Sequence, residues 1–288
     1  MSEGIQQTVA LATVSSSSFL PGTMVLLHSF LQHNSWFDGD LVIIHHDLSD
    51  KEQEQLQARF DRVKFIRPRQ TLSDNIDRLT RALPNLEAQT AQFHSIEVIG
   101  LIEYDRVLFC DSDLLILSSL QTLFSMPQPL LCCGDGSFYR GNPRHTGSFV
   151  EMDASASNAG FAHAFNAGFM LMDRSIRTLE NLNALIKKLD PAHWQGNATG
   201  HTDQLLFNVH FDGLQHLLGA EYNYVLRHRK EILKHSGLDI DDAKVLHFNG
   251  AAKPWNPAGM HRLIQRDSAL QAAAKLWNDA YKSYLLQR

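Results

Sequence analysis

The chain has little cysteine, no basic excess and no long apolar run, and each absence excludes a class of protein. Its three cysteines, Cys110, Cys132 and Cys133, are too few for a disulfide framework, and no CxxC pair indicates structural zinc. We expect them to be buried thiols in a reducing compartment. The formal net charge of −5 argues against a general nucleic-acid binder, which would carry a basic surface.

The sequence also lacks targeting and membrane-spanning signals. Its first residues, MSEGIQQTVALATVSSSSF, have no basic region before an apolar core and so do not resemble a signal peptide. No run reaches the ~18 apolar residues that cross a bilayer. For the chain as given, we therefore predict a cytoplasmic protein.

Apolar runs of strand length alternate with helical patterns. The predicted strands cover 8–14, 40–46, 63–68, 129–135, 164–173 and 243–250, and the predicted helices cover 22–34, a stretch capped by Ser49, about 88–103, and segments opening near 175 and 201. This alternation predicts an α/β fold with an open, mostly parallel central sheet flanked by helices. In such sheets, ligands bind beyond the carboxyl ends of the strands.

We predict a single domain, with a catalytic core over 1–257 and a helical tail over 258–288. The polar stretch 136–160 is long for a loop in a compact domain, which is typical of functional or disordered segments. The tail mixes basic residues with Trp277, Tyr281 and Tyr284. Packing of this helix on the domain is favoured over contact with a membrane, because acidic residues dilute its charge.

Two acids, Asp111 and Asp113, interrupt the apolar run YDRVLFCDSDLLIL, whose frame over 107–116 predicts an inner strand. Because unpaired buried charge is costly, we expect these acids at the end of a strand or against a cation. Residues i and i+2 of an extended chain face the same side, so both carboxylates can reach one ion, and hard divalent cations prefer oxygen ligands. Taken alone, the tripeptide Asp-Ser-Asp favours a solvated strand end with a capping aspartate over a metal site.

The string VLHFNGAAKPW supplies further groups of the same kind. His247 ends an apolar strand and offers an imidazole to a metal, while Lys253 offers an ammonium to a phosphate. Gly250 allows a close approach of the backbone. The alternative is a core histidine followed by an ordinary loop.

Two other segments carry small and polar residues. In FNAGFMLMD, Asn166 can donate and accept hydrogen bonds, and Ala167 and Gly168 leave room for a ligand; a turn or bulge is the alternative. In HTDQLL, Asp203 and Gln204 lie in the first turn of a helix. They either favour the helix dipole or face a sugar.

Taken together, these segments resemble the family 8 glycosyltransferases, the group that contains glycogenin and bacterial lipopolysaccharide galactosyltransferases. The resemblance follows the family's order over most of residues 8–255, and HFNGAAKPW is its most specific element. It implies the GT-A nucleotide-sugar fold. It also implies retaining transfer of a hexose (glucose, galactose or N-acetylglucosamine) from a UDP-sugar to a glycan, lipid-linked or protein acceptor.

The resemblance further implies roles for individual residues. The ligands of Mn²⁺ or Mg²⁺ would be Asp111, Asp113 and His247. The catalytic roles would belong to Asp203, Gln204 and Lys253. The contacts to the UDP-sugar would come from Leu11, Ala12, Thr13, His94, Asp111, Ser112, Asn166, Ala167, Gly168, Asp203, Gln204, Gly250 and Lys253.

Retention of the anomeric configuration needs either a covalent intermediate or attack on the face from which the leaving group departs. Gln204 is a poor nucleophile, and binding of sugar hydroxyls suffices to explain Asp203. We therefore favour same-face attack, in which the leaving phosphate helps to deprotonate the acceptor.

One departure from the family pattern concerns the segment before the acidic pair. Members usually carry an arginine or lysine there, whereas residues 82–105 contain neither and offer only His94. This departure keeps open a first alternative, a degenerate protein that binds sugar nucleotides without turnover. A second alternative, which the related fold suggests, is a sugar nucleotidyltransferase. The second is disfavoured because ATVSSSSFLPG lacks the Gly-rich, Arg-containing loop that holds a triphosphate.

Overall fold

Strands and helices alternate through the computed structural model, which describes residues 7–141, 164–194, 202–256, 260, 265 and 267–287. In chain order the elements are β1 (Val9–Ser15), α1 (Leu20–His33), β2 (Asp40–His45), α2 (Asp50–Gln57), β3 (Val63–Ile66), α3 (Gln70–Ala82), β4 (Arg106–Cys110), β5 (Leu114–Ile116), α4 (Gln121–Phe124), β6 (Leu130–Gly134), α5 (Gly136–Tyr139), β7 (Phe165–Asp173), α6 (Leu179–Lys187), α7 (Thr202–His210), β8 (Gln215–Leu218), β9 (Tyr224–Val225), α8 (Arg229–Ser236), β10 (Val245–His247) and α9 (Ser268–Leu286).

A seven-stranded sheet in the order β3-β2-β1-β4-β7-β6-β8 forms the centre of the fold. Strands β3, β2, β1 and β4 are mutually parallel, whereas β7 runs antiparallel to both of its neighbours. The predicted α/β class with a mostly parallel central sheet is confirmed.

Apolar residues cover both faces of this sheet. Along β1, Ala10 and Ala12 join one buried cluster, while Leu11 between them joins a second cluster with residues of α1. Alternation of side chains across a strand explains the division, and burial on both faces explains why β1 reads as a continuous apolar run. All three cysteines are free and buried, as predicted.

The acidic pair lies between two sheets rather than within one strand. Strand β4 ends at Cys110, and β5, from Leu114, belongs to a separate three-stranded sheet in the order β5-β10-β9. The backbone turns between them, where the Leu114 N–H donates to the Asp111 carbonyl at 3.2 Å. The prediction of one inner strand over 107–116 was therefore wrong, whereas the position of the acids at the end of a strand is confirmed.

Other boundaries also differ from the predictions. A 3-10 helix occupies Pro84–Gly100 where an ordinary helix over 88–103 was expected, and α3 was not predicted. Ser49 caps α2 as predicted, in a capping box with Glu52. Most of the loop predicted at 136–160 lies outside the described residues.

The end of the tail packs on the domain. Helix α9 buries Trp277 and Tyr284, and Tyr281 stacks on both of them. The α1 residue His28 lies within 3.0 Å of the Ser283 hydroxyl. This confirms the packed interpretation of the aromatic residues. Among the described residues, no helix is long and apolar enough to span a membrane.

Candidate active site

Asp111, Asp113 and His247 come together at the carboxyl end of β4. His247 Nε2 lies 3.3 Å from Asp113 Oδ1 and 3.6 Å from Asp111 Oδ2. Pairing of β10 with β5 sets His247 opposite Leu114, beside the acids, and the Phe248 N–H donates to the Asp113 carbonyl at 3.0 Å. The structure therefore brings together the three predicted metal ligands.

The donor set fits a divalent cation. One ligand atom from each of the three residues lies within 4.8 Å of the others, and no other such group of three or more occurs in the described part of the chain. Two carboxylates and an imidazole suit manganese or a similar metal. Gly168 lets two of these ligands pack closely against the backbone, because a Cβ there would lie 2.5 Å from Asp111 Oδ2 and 2.6 Å from His247 Cε1.

Lys253 also converges on this cluster. Its ammonium forms an ion pair with Asp113 and donates to the Phe248 carbonyl at 3.0 Å. Burial opposes ionisation of Asp113, but His247 and Lys253 outweigh it and hold the pKa of Asp113 below its usual range. Burial of the cluster and the charge of Asp113 raise the pKa of Asp111, whose side chain is 43% exposed.

A β-bulge shapes the side of the site that β7 contributes. The register of β6 against β7 shifts between Cys132 and Cys133, whose partners are Met170 and Asn166. The bulge predicted as an alternative for the Asn-Ala-Gly segment is thus present. Asn166 donates from Nδ2 to Gln204 Oε1 at 2.9 Å, which links the bulge to the start of α7.

Asp203 accepts hydrogen bonds from hydroxyl groups. Ser95 donates to Asp203 Oδ2 at 2.7 Å, and Thr202 donates to Oδ1 at 3.0 Å. Burial raises the pKa of Asp203 despite these hydrogen bonds. Gln204 Nε2 lies 3.4 Å from Asp135 Oδ2.

Strand β1 reaches the surface of the site only at its carboxyl end. Leu11, Ala12 and Thr13 are fully buried, and Thr13 Oγ1 lies 3.1 Å from the Ser112 hydroxyl, so both hydroxyls face each other inside the fold. Their contact with uridine stays a prediction. The exposed positions here are Ser17 and Ser18, beyond the strand.

His94 is buried within the long 3-10 helix, with 5% of its surface exposed. Burial, and then the neighbouring His46, lower the pKa of His94 to about 4, so the ring is neutral at pH 7. The His46 ring lies 5.1 Å away, and His94 Nδ1 has no hydrogen-bond partner among the residues described. His94 therefore places no fixed positive charge here.

Two further residues support the site: Trp255, which the sequence predicts to brace the Lys253 turn, and Asn223, which sequence patterns did not identify. Asn223 lies between His247 and Asn166 within hydrogen-bond distance of both. Trp255 donates to the Ser18 carbonyl at 3.0 Å and so attaches the Lys253 loop to the end of β1. The four consecutive serines that begin with the last residue of β1 were a usable signal for that edge, whereas Asn223 had none.

The family model described as Glycosyl transferase family 8 matches residues 10–259. The chain belongs to glycosyl transferase family 8. Glycogenin from Komagataella phaffii is 23% identical over 92% of this chain and 62% of its own length. Galactinol synthase 3 from Arabidopsis thaliana is 23% identical over 65% of this chain and 57% of its own length. The chain therefore spans about three fifths of these relatives.

A solved structure shares the fold. The crystal structure of the galactosyltransferase LgtC with donor and acceptor sugar analogues superposes with a TM-score of 0.66, over 95% of both chains at 15% identity. Identity this low shows the fold alone, and the fold is the predicted GT-A type.

Proposed function

We propose that this family 8 member is a metal-dependent, retaining glycosyltransferase that moves a hexose from a UDP-sugar to a carbohydrate or glycoconjugate acceptor. The observation that carries the proposal is the cluster of Asp111, Asp113 and His247, with Lys253 beside it, at the carboxyl end of a central strand. Residues widely separated in sequence converge there, as a binding site for a charged ligand requires.

Asp111, Asp113 and His247 would hold Mn²⁺ or Mg²⁺. A bound divalent cation would stabilise the negative charge that develops on the departing diphosphate. Lys253 supplies a second positive charge on the same side, and Gly250, with a φ of 99°, gives its loop a left-handed turn that favours glycine. We propose that the Lys253 ammonium leaves Asp113 for the diphosphate when the donor binds.

The sugar would lie between the bulge of β7 and the start of α7. Asn166, Gln204 and Asp203 present amide and carboxyl groups that suit sugar hydroxyls. Engagement of Asp203 by two hydroxyl donors supports hydroxyl binding over nucleophilic attack. The same-face mechanism, in which the leaving phosphate oxygen accepts the acceptor's proton, is therefore retained in the proposal.

The test is UDP release from UDP-glucose, UDP-galactose, UDP-N-acetylglucosamine and UDP-xylose, measured with Mn²⁺ and then with excess chelator. Wild type should hydrolyse one donor slowly with Mn²⁺ alone, and both chelator and Asp113→Asn should abolish release. Release that survives chelation would contradict metal dependence. NMR of the first-formed product should show the donor's anomeric configuration, and inversion would overturn the retaining assignment.

A covalent intermediate makes a separate prediction. Mass spectrometry of donor-treated wild type should find no sugar on Asp203. A glycosylated Asp203 would replace same-face attack with double displacement.

The degenerate alternative predicts a different result. Such a protein would bind UDP with Mn²⁺ but release none from any donor, with or without oligosaccharide acceptors. The intact cluster with Lys253 favours the enzyme.

A further inference from the structure

Asn223 is a fully buried amide beside the proposed metal ligands, in the short 3-10 helix Ala220–Asn223. Its Oδ1 lies 2.9 Å from His247 Nδ1, and its Nδ2 lies 2.9 Å from Asn166 Oδ1. One amide therefore joins the imidazole of the cluster to the bulge that faces the sugar.

A backbone group fixes the polarity of this hydrogen-bond chain. The Gly168 N–H can only donate, and it lies 3.1 Å from Asn166 Oδ1, so that atom is an acceptor. Asn223 must therefore present its NH₂ group to Asn166 and its oxygen to His247. An oxygen at that distance requires a hydrogen on His247 Nδ1.

A second backbone group supports the same polarity from the other end. The Ala167 N–H lies 3.4 Å from Gln204 Oε1, which also accepts from Asn166 Nδ2 at 2.9 Å. The Gly168 N–H and the Ala167 N–H therefore require the same orientation of the Asn166 amide, with its oxygen towards Asn223 and its NH₂ group towards Gln204. The chain from Gln204 through Asn166 and Asn223 to His247 has a single consistent direction.

The direction of this hydrogen-bond chain determines whether Nε2 of His247 can act as a metal ligand beside the acids. A neutral imidazole with its hydrogen on Nδ1 carries a lone pair on Nε2, and Nε2 is the atom that faces Asp111 and Asp113. His247 is 2% exposed, so bulk water does not readily replace the Asn223 oxygen. Without that oxygen, the Nδ1 hydrogen would be buried and unsatisfied.

We propose that Asn223 is a positioning residue, which holds His247 in the Nδ1–H tautomer and aims Nε2 at a divalent cation bound by the acids. This inference rests on the proposed function for its metal. Partners that orient a ligating histidine typically change metal affinity by about 10–100-fold when they are mutated.

Two substitutions separate this role from packing. Asn223→Leu removes the acceptor and should weaken Mn²⁺ binding, measured by calorimetry, by about 10–100-fold. Asn223→Asp keeps an oxygen for His247 Nδ1–H but sets its second oxygen against Asn166 Oδ1. Its affinity should lie closer to that of wild type than to that of Asn223→Leu.

The matched control is Asn34→Leu. Asn34 is also fully buried, and its amide accepts from the Leu120 N–H at 2.7 Å and donates to the Phe30 carbonyl at 2.9 Å, away from the cluster. This variant should lose stability yet bind Mn²⁺ as wild type does. Equal affinities of Asn223→Leu and wild type would overturn the proposal, as would an equal loss in Asn34→Leu.

The tautomer is measured directly on the metal-free wild type, so the inference does not depend on the folding of any variant. Long-range ¹H–¹⁵N correlation spectra of histidine-labelled protein at pH 7.5 should show a hydrogen on Nδ1 of His247, whether or not Nε2 also carries one beside Asp113, with the signals assigned by their absence in His247→Gln. A ring with its hydrogen on Nε2 alone would overturn the inference. Wild type that shows Nδ1–H but binds no Mn²⁺ would overturn the proposed metal site and the role of Asn223 toward it.

Discussion

Gly168→Ala is the substitution that acts most locally on the proposed metal site. The added Cβ would lie 2.5 Å from Asp111 Oδ2, 2.6 Å from His247 Cε1 and 3.0 Å from Asn166 Oδ1. Favourable contacts between carbon atoms lie at about 3.5–4.0 Å, so at least one of these groups must move by about an ångström.

The burial of the two ligands indicates which one moves. The Asp111 side chain is 43% exposed and can rotate away, whereas His247 is 2% exposed and held by Asn223. Loss of Asp111 from the cluster should weaken Mn²⁺ binding by about tenfold or more, which corresponds to about 1.4 kcal/mol. Residual overlap with His247 should lower the free energy of unfolding by about 1–3 kcal/mol.

The assay is calorimetric Mn²⁺ titration together with urea unfolding. Gly39→Ala is the control, because a Cβ there would lie 2.3 Å from the Val9 carbonyl oxygen, next to the start of β2 and so at the opposite edge of the sheet. It should lose stability and keep its Mn²⁺ affinity. Unchanged Mn²⁺ affinity in Gly168→Ala would show that Asp111 and His247 do not hold the metal in this arrangement.

Three further predictions concern the surroundings of the site. Lys253→Met should lower UDP affinity in calorimetry at saturating Mn²⁺ by tenfold or more, yet should not weaken Mn²⁺ binding without UDP, because it frees Asp113; weaker binding of Mn²⁺ alone would contradict this. The pKa of His94 is lowered from 6.5 to about 4, so its contribution to stability is present above pH 6.5 and is lost as the pH falls towards 4. His94→Gln should therefore lose less stability than wild type in urea unfolding between pH 7 and 4.5, and an equal loss would count against a buried neutral ring. Trp277→Ala should lower the free energy of unfolding by about 3–5 kcal/mol, since its ring is 2% exposed and lies against Trp255, and a change below 1 kcal/mol would show that α9 does not pack as described.

Local patterns predicted the parts of this fold that depend on neighbouring residues. Ser49 is the predicted N-cap of α2, and the apolar run before Asp111 is the predicted strand. The motifs also indicated the family, because HFNGAAKPW contains His247 and Lys253 at a fixed spacing.

Contacts between distant segments could not be predicted from such patterns. Lys253 and Asp113 are 140 positions apart in sequence, and they meet only because β10 pairs with β5 in a second sheet. The apolar pattern over 107–116 did not indicate that β4 and β5 belong to different sheets, because buried strands in either sheet have the same apolar composition. Asn223 lies in no motif, so only the fold shows that it contacts His247.

The most direct test of the central claim is calorimetric binding of UDP to wild type and Asp113→Asn, with and without Mn²⁺. UDP needs no assumption about the sugar or the acceptor. Wild type should bind UDP at least tenfold more tightly with Mn²⁺ than without it, and Asp113→Asn should lose this enhancement. Equal UDP affinity with and without Mn²⁺ in wild type would contradict a metal-dependent nucleotide-sugar site at Asp111, Asp113 and His247.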